Sequence, residues 1–244
     1  TIDRDQKHLK LSDEAICIGP PETKDSYLNE AAIISAAELS GADAIYPGFG
    51  FLAENASFAE KCRESGFKFI GPDPEVIAIM GDKIKAKELA KSLNIPVVPG
   101  YEGEISTENE AIKIVEEIGY PVIIKASAGG GGRGMRVVNS SDELWQSIQS
   151  AQNEAELAFG DGKIFIEKYL KKPRHIEVQI FGNGKGEAVH LFTRDCSLQR
   201  KYQKIIEEAP ALNIDNQKLE EIQNLSVEAC KKLNYEGAGT IEFL

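Results

Sequence analysis

Lys125 ends the β-branched run Val122-Ile123-Ile124 and leads, through Ala126-Ser127-Ala128, into Gly129-Gly130-Gly131-Gly132-Arg133-Gly134. Five of the six residues 129–134 are glycine, and a strand-like run, Met135-Arg136-Val137-Val138, follows at once. Glycine has no Cβ and tolerates φ > 0, so successive backbone N–H groups can converge on an anion. Lys125 adds a positive charge at the mouth of that cradle, and a lysine fed by a buried run needs a partner for its charge. The chemistry that fits is binding of a polyphosphate, ATP foremost. Gly129-x-Gly131-x-x-Gly134 satisfies the dinucleotide fingerprint as a string, but that motif needs a helix directly after it. No Gly-Lys-Ser/Thr follows, which excludes a P-loop. Strand–glycine loop–strand remains, a hairpin flap over phosphates; a surface hairpin without ligand is the alternative.

Lys83, Lys125, Lys168 and Lys204 each sit beside an element boundary, where a side chain can enter a cleft. Phosphoryl transfer is mostly positioning and charge stabilisation, which suits several cations and a divalent metal. Glu167-Lys168-Tyr169-Leu170 follows an apolar strand and precedes Pro173. Its backbone suits the edge of an adenine, and Leu170 suits the ring face. Glu242, between apolar neighbours, suits a magnesium ligand because the ion takes hard oxygens; a salt bridge is the competing role. Cys196 lacks any sign of activation as a nucleophile.

The elements that must position these groups alternate. Asn29 is predicted to cap a helix that Gly41 ends, Asp43–Pro47 to form a strand, Asn55–Ser65 a helix and Phe67–Ile70 a strand. Short glycine turns between such elements imply a parallel, doubly wound sheet. Helices over 74–80 and 83–93 follow, and Ile95–Gly100 breaks the pattern. Residues 106–170 read as a compact unit in the order βαββαβ. Residues 175–195 read as a hairpin with His175, Glu177 and Gln179 on one face and Ile176, Val178 and Ile180 on the other. Asp215 is predicted to cap a helix ending near Leu233, and 238–244 to return as a strand.

At 244 residues the chain has room for two domains or one large α/β domain. A hydrophobic fraction of 42% and a charged fraction of 27% are ordinary for a globular protein. No apolar run approaches the ~20 residues of a membrane span, and no signal segment opens the chain. A net charge of −11 argues against nucleic-acid and anionic-membrane partners, though not against ATP, whose field is set locally. Four scattered cysteines form neither a zinc site nor a disulfide framework, as expected of a reducing compartment. The start at Thr1 and the stop at Leu244 lead to the expectation of a fragment.

Motifs along the whole chain carry a resemblance. They are Tyr46-Pro47-Gly48-Phe49-Gly50-Phe51-Leu52-Ala53-Glu54-Asn55, Met80-Gly81-Asp82-Lys83, the Lys125–Met135 run, Glu167-Lys168-Tyr169-Leu170, Pro173-Arg174-His175-Ile176-Glu177, Arg194-Asp195-Cys196-Ser197-Leu198-Gln199-Arg200 and Glu207-Glu208-Ala209-Pro210. In these the chain resembles the biotin carboxylase family, the ATP-grasp component of biotin-dependent acyl-CoA and pyruvate carboxylases. The resemblance implies an α/β protein, with a partial doubly wound parallel-sheet N-terminal domain over 1–80. An ATP-grasp domain of α+β type follows over 81–244, incomplete at its C-terminus, with a glycine-flap lid over about 97–169.

The implied activity is ATP-dependent carboxylation of biotin by bicarbonate through carboxyphosphate, with ATP, Mg2+ or Mn2+ and biotin on a carrier protein. Lys83 and Lys125 would hold phosphates, with Gly131, Gly132 and Met135 in the flap. Glu167, Lys168, Tyr169 and Leu170 would contact adenine; His175, Gln199 and Tyr202 would surround the nucleotide. Lys204 would sit near bicarbonate and Glu242 would bind the metal. Implied partners are a biotin carboxyl carrier protein or domain and a carboxyltransferase; the parent would be a homodimer in the cytoplasm, or in the mitochondrial matrix of a eukaryote. Tyr202 replaces the family's usual histidine, and Thr193 stands where an acidic residue is common. The family's opening Asn-Arg-Gly-Glu segment, second metal carboxylate, catalytic glutamate and biotin-orienting arginine are absent, so the isolated fragment is expected to turn over little. Rival expectations are a carbamoyl-phosphate-synthetase-like ligase and a non-catalytic assembly module of a carboxylase complex.

Overall fold

The computed structural model describes residues 3–101, 103, 105–126, 135–160, 162–200 and 203–244, with the backbone alone for Lys83, Ile84 and Phe159. The chain divides into two compact units, Thr1–Asp82 with Ile180–Val189 and Val227–Gly239, and Lys83–Gln179 with His190–Ser226 and Thr240–Leu244.

The first unit opens with α1 (Glu30–Ser40), β1 (Ala44–Ile45), α2 (Ala56–Glu64), β2 (Lys68–Phe69) and α3 (Pro74–Gly81). Asn29 and Asn55 cap α1 and α2, accepting from the Ala32 and Phe58 backbone N–H groups at 3.1 and 2.9 Å. Gly41 ends α1 with φ +64°, a conformation that favours glycine. β1 and β2 pair in parallel, Ala44 opposite Lys68, with α2 as the crossover. Leu52, Phe58, Ala59, Cys62, Phe69 and Ile77 form the core beneath them.

The second unit carries α4 (Lys83–Ser92), β3 (Gly100–Tyr101), α5 (Glu108–Ile118), β4 (Val122–Ala126), β5 (Arg136–Val138), α6 (Leu144–Phe159) and β6 (Ile164–Lys168). From β3 to β6 the order is the expected βαββαβ. The sheet order is β3-β6-β4-β5, and every neighbouring pair is antiparallel. Val122, Ile124, Val138, Ile164 and Ile166 pack with Ala111 and Val115 of α5 and Leu144, Ile148 and Ala151 of α6. One sheet face is thus sealed by helices. By the period of two, Ile123, Lys125, Phe165 and Glu167 belong to the other face. The strands either side of the glycine run pair with each other, Val122 opposite Val138 and Ile124 opposite Arg136, so no helix opens after it. The dinucleotide reading is excluded on that ground.

A second four-stranded sheet is built from β7 (Ile176–Asn183), β8 (Ala188–Arg200), β9 (Gln203–Glu208) and β10 (Glu236–Phe243) in the order β10-β7-β8-β9, with α7 (Asn216–Lys232) before β10. β8 and β9 are antiparallel, and their register shifts between Asp195 and Leu198 and again between Leu198 and Gln199. Such bulges re-aim side chains; here they bring Gln199 opposite Lys204. Among the described residues no helix is long and apolar enough to cross a membrane.

Candidate functional site

Lys125 and Glu167 lie on adjacent strands of the open sheet face, Lys125 opposite Phe165 and Ile123 opposite Glu167. That diagonal is within reach of long side chains. The Lys125 ammonium donates to Glu167 Oε2 at 2.5 Å, and Lys87 of α4 pairs with the other oxygen, Oε1. Both ammonium groups lie over the Phe165 ring, 5.3 Å away for Lys87 and 5.7 Å for Lys125. Burial pushes the Glu167 carboxyl up, and hydrogen bonds from Lys125 and Lys87 outweigh it, so Glu167 titrates below the ordinary carboxylate range. Two cations on one carboxylate leave a net positive charge on this face.

Lys168, one residue on, has the opposite parity and sits opposite Val122 on the helix-sealed side. Its ammonium donates to the Gly119 and Tyr120 carbonyls at 2.9 and 2.8 Å, satisfying acceptors at the end of α5. Its backbone N–H donates to Pro99 O at 2.8 Å, and that of Tyr169 to Pro121 O at 2.9 Å. A role for these two residues at an adenine edge is thereby confined to their carbonyls and to side chains other than the Lys168 ammonium.

The second cluster draws on β7, β8, β9 and β10. Glu177, 3% exposed, is clamped at Oε1 by Arg194 Nε at 2.5 Å and at Oε2 by Lys204. Lys204 also donates to Glu242 Oε1 at 2.8 Å. His175 Nε2 lies 3.2 Å from that oxygen, while its Nδ1 faces Gln199 Nε2 at 2.7 Å. With the Gln199 amide nitrogen as donor, His175 Nδ1 is the acceptor of that pair. Burial pushes the Glu177 carboxyl up, but Lys204 and Arg194 hold it below its usual value. Burial alone would lower Lys204; hydrogen bonds to Glu177 and Glu242 raise it above the ordinary amine range. Lys204 is therefore a fixed cation at neutral pH, suited to holding an anion and unsuited to acting as a base. The buried Cys196 thiol is pushed up to about 11, first by burial and then by the Glu177 charge, which keeps it an inert thiol.

Of the expected site residues, the structure brings together Lys125 with Glu167, and His175, Gln199 and Lys204 with Glu242. Met135 immediately precedes β5, and Leu170 lies just beyond β6. Gly131, Gly132, Tyr202 and the Lys83 side chain lie outside the described residues. Three participants were not singled out from sequence: Glu177, Arg194 and Lys87. The polar face His175-Glu177-Gln179 was the available signal for Glu177. For Lys87 it was the spacing from Lys83, one helical turn.

The donor set also tests the implied metal. Donor atoms of His175, Glu177 and Glu242 lie within 4.8 Å of one another. Both Glu177 oxygens are taken by cations, whereas the Glu242 side chain is 51% exposed. A hard divalent ion prefers carboxylate to imidazole, so Glu242 fits as a ligand.

Residues 1–77 match the family model described as "Biotin carboxylase, N-terminal domain". Residues 82–244 match "Carbamoyl-phosphate synthase L chain, ATP binding domain". The chain belongs to the biotin carboxylase family. The biotin carboxylase of Pseudomonas aeruginosa is 54% identical over 245 residues, covering 100% of this chain and 55% of that protein. This chain thus spans about half the length of the relatives it matches. The crystal structure of the Campylobacter jejuni biotin carboxylase–beta-gamma-ATP complex superposes with a TM-score of 0.92 at 49% identity, over 99% of this chain and 54% of that one. The Hydrogenobacter thermophilus 2-oxoglutarate carboxylase biotin carboxylase domain dimer, in complex with MgADP, ADP and bicarbonate, gives 0.88 at 47% identity, over 99% and 53%. The fold is the α/β, ATP-grasp-containing fold of biotin carboxylases.

Proposed function

We propose that this chain supplies the nucleotide- and bicarbonate-binding part of an enzyme that carboxylates biotin with bicarbonate, driven by ATP. The observation that carries the reading is Lys204, locked as a cation between Glu177 and Glu242 beside His175 and Gln199. Biotin carboxylase relatives in complex with nucleotide and with bicarbonate support it.

Residues 1–80 correspond in this reading to the N-terminal domain and 81–244 to the ATP-grasp domain, with 97–169 as its lid. Lys83 and Lys125 hold the phosphates under a flap that includes Gly131, Gly132 and Met135. The Glu167 to Leu170 backbone and the Leu170 side chain face adenine; His175, Gln199 and Tyr202 border the nucleotide. Glu242 holds magnesium, which supplies charge neutralisation on the phosphate oxygens when bound. Lys204 holds bicarbonate, and Glu177 fixes the ammonium so that it need not reorganise as charge develops. A bicarbonate oxygen displaces ADP at the γ-phosphorus to give carboxyphosphate; its carboxyl then passes to a biotin ureido nitrogen, whose N–H proton leaves with the departing phosphate. A carrier protein or domain would present the biotin and a carboxyltransferase would receive the product. The parent would be a dimer in the cytoplasm, or in the mitochondrial matrix of a eukaryote.

The test is bicarbonate-dependent, biotin-stimulated ADP release by the protein that carries this sequence. Lys204→Gln is expected to lower kcat about 10²–10³-fold, the scale of a lost transition-state donor, with MgATP still bound in calorimetry. Full bicarbonate-dependent turnover by that variant would sink the reading.

A further inference from the structure

Lys87 has no part in the reaction just described, yet it is placed with care. Its side chain is 18% exposed, that of Glu167 is 8% exposed and that of Lys125 is 26% exposed, so Lys125 is the more open of the two cations. The two lysines take opposite oxygens of one carboxylate and share the Phe165 ring beneath them. A lysine that binds a phosphate must turn some of its hydrogen-bonding capacity away from an existing partner. If Lys125 were the sole counter-ion of Glu167, that turn would strand a buried carboxylate, which is strongly unfavourable. With Lys87 on the second oxygen, Glu167 keeps a partner throughout.

We propose that Lys87 is a reserve counter-ion: it holds Glu167 when Lys125 turns to nucleotide phosphate, and so sets nucleotide affinity without itself touching the nucleotide. The inference rests on the reading of Lys125 as a phosphate ligand. Lys87 is a positioning residue in this scheme, with Glu167 as the group through which it acts. It also gives the Glu167 side chain a resting-state role: that of an internal anion keeping Lys125 near its working position when no nucleotide is present.

The experiment is calorimetric titration of MgATP into the protein carrying this sequence and four variants: Lys87→Met, Lys87→Arg, Glu167→Gln and the double variant Lys87→Met/Glu167→Gln. Lys87→Met is expected to weaken MgATP about tenfold or more, because Lys125 becomes the only cationic partner of a buried charge among the described residues. Lys87→Arg should retain affinity. Neutralising Glu167 should make Lys87 dispensable, so Glu167→Gln and the double variant should bind alike, and the double variant should bind more tightly than Lys87→Met. Wild-type affinity in Lys87→Met overturns the proposal. A double variant much weaker than Glu167→Gln also overturns it, since Lys87 would then contact the nucleotide or serve packing alone. Should Lys87→Met not fold, the comparison of Glu167→Gln with the double variant still decides. Absence of MgATP binding by the wild-type protein would instead overturn the nucleotide reading itself.

Discussion

Glu177 is the residue on which the second cluster turns, because both its oxygens are engaged by cations and it is almost wholly buried. Replacing it leaves Lys204 and Arg194 close together without their shared anion. Glu177→Gln is expected to destabilise the protein by about 2–4 kcal/mol, the scale of a broken buried pair with partly exposed partners, measured by urea unfolding. Glu167 and Glu177 both titrate below the ordinary value of 4.5 in the folded protein. On acidification the unfolded chain therefore binds protons first. The stabilisation is present above the unfolded pKa and is lost as pH falls through it toward the folded values. Urea midpoints should be flat near neutrality and drop between about pH 5 and pH 3, with a shallower drop in Glu177→Gln. An acid transition of equal slope in the two proteins would contradict the assignment.

At the scale of elements, pairing between β3 and β6 places Glu167. Gly100 stands opposite Glu167, and a Cβ there would meet the Ile166 carbonyl oxygen at 2.6 Å and Glu167 Cγ at 3.1 Å. The first contact is backbone and cannot rotate away. Gly100→Ala should cost about 1–3 kcal/mol of stability, as overpacking does. It should also weaken MgATP, because β6 shifts with Glu167 on it; calorimetry of the variant reads this directly. Strand parity sorts the rest of this region: Lys125 and Glu167 belong to the open face, while Lys168 goes to the carbonyls that end α5.

For the molecule as a whole, a net charge of −11 coexists with a site built from cations. Local groups set the field a phosphate meets, so the overall charge is no obstacle. Binding to the folded state alone stabilises it by about 2.7 kcal/mol at a hundredfold excess over Kd. Hydrogen exchange with saturating MgATP should therefore slow most in β4, β6, β9 and the parts of β7 and β8 that belong to the second unit, 176–179 and 190–200. The amides of α1 and α2 should change little. Protection confined to α1 and α2 would relocate the nucleotide and overturn the site.

Much of this was legible in the amino-acid order because the signals are local. The Asn29 cap, the glycine at the end of α1, the βαββαβ order and the strands flanking the glycine run each depend on neighbours within a few residues. Residue types and the family resemblance likewise singled out Lys125, Glu167, His175, Gln199, Lys204 and Glu242 as candidates. Tertiary structure decided how those charges are shared. Lys87 meets Glu167 from another element, Arg194 and Lys204 converge on Glu177 from two further strands, and Lys168 faces away from Lys125. The β8 bulges re-phase alternation, so no count along the strand gives the partners of Lys204. Propensity and capping act over one turn or one strand, whereas an ion pair needs two side chains brought together from distant parts of the chain, and only the folded register sets that distance.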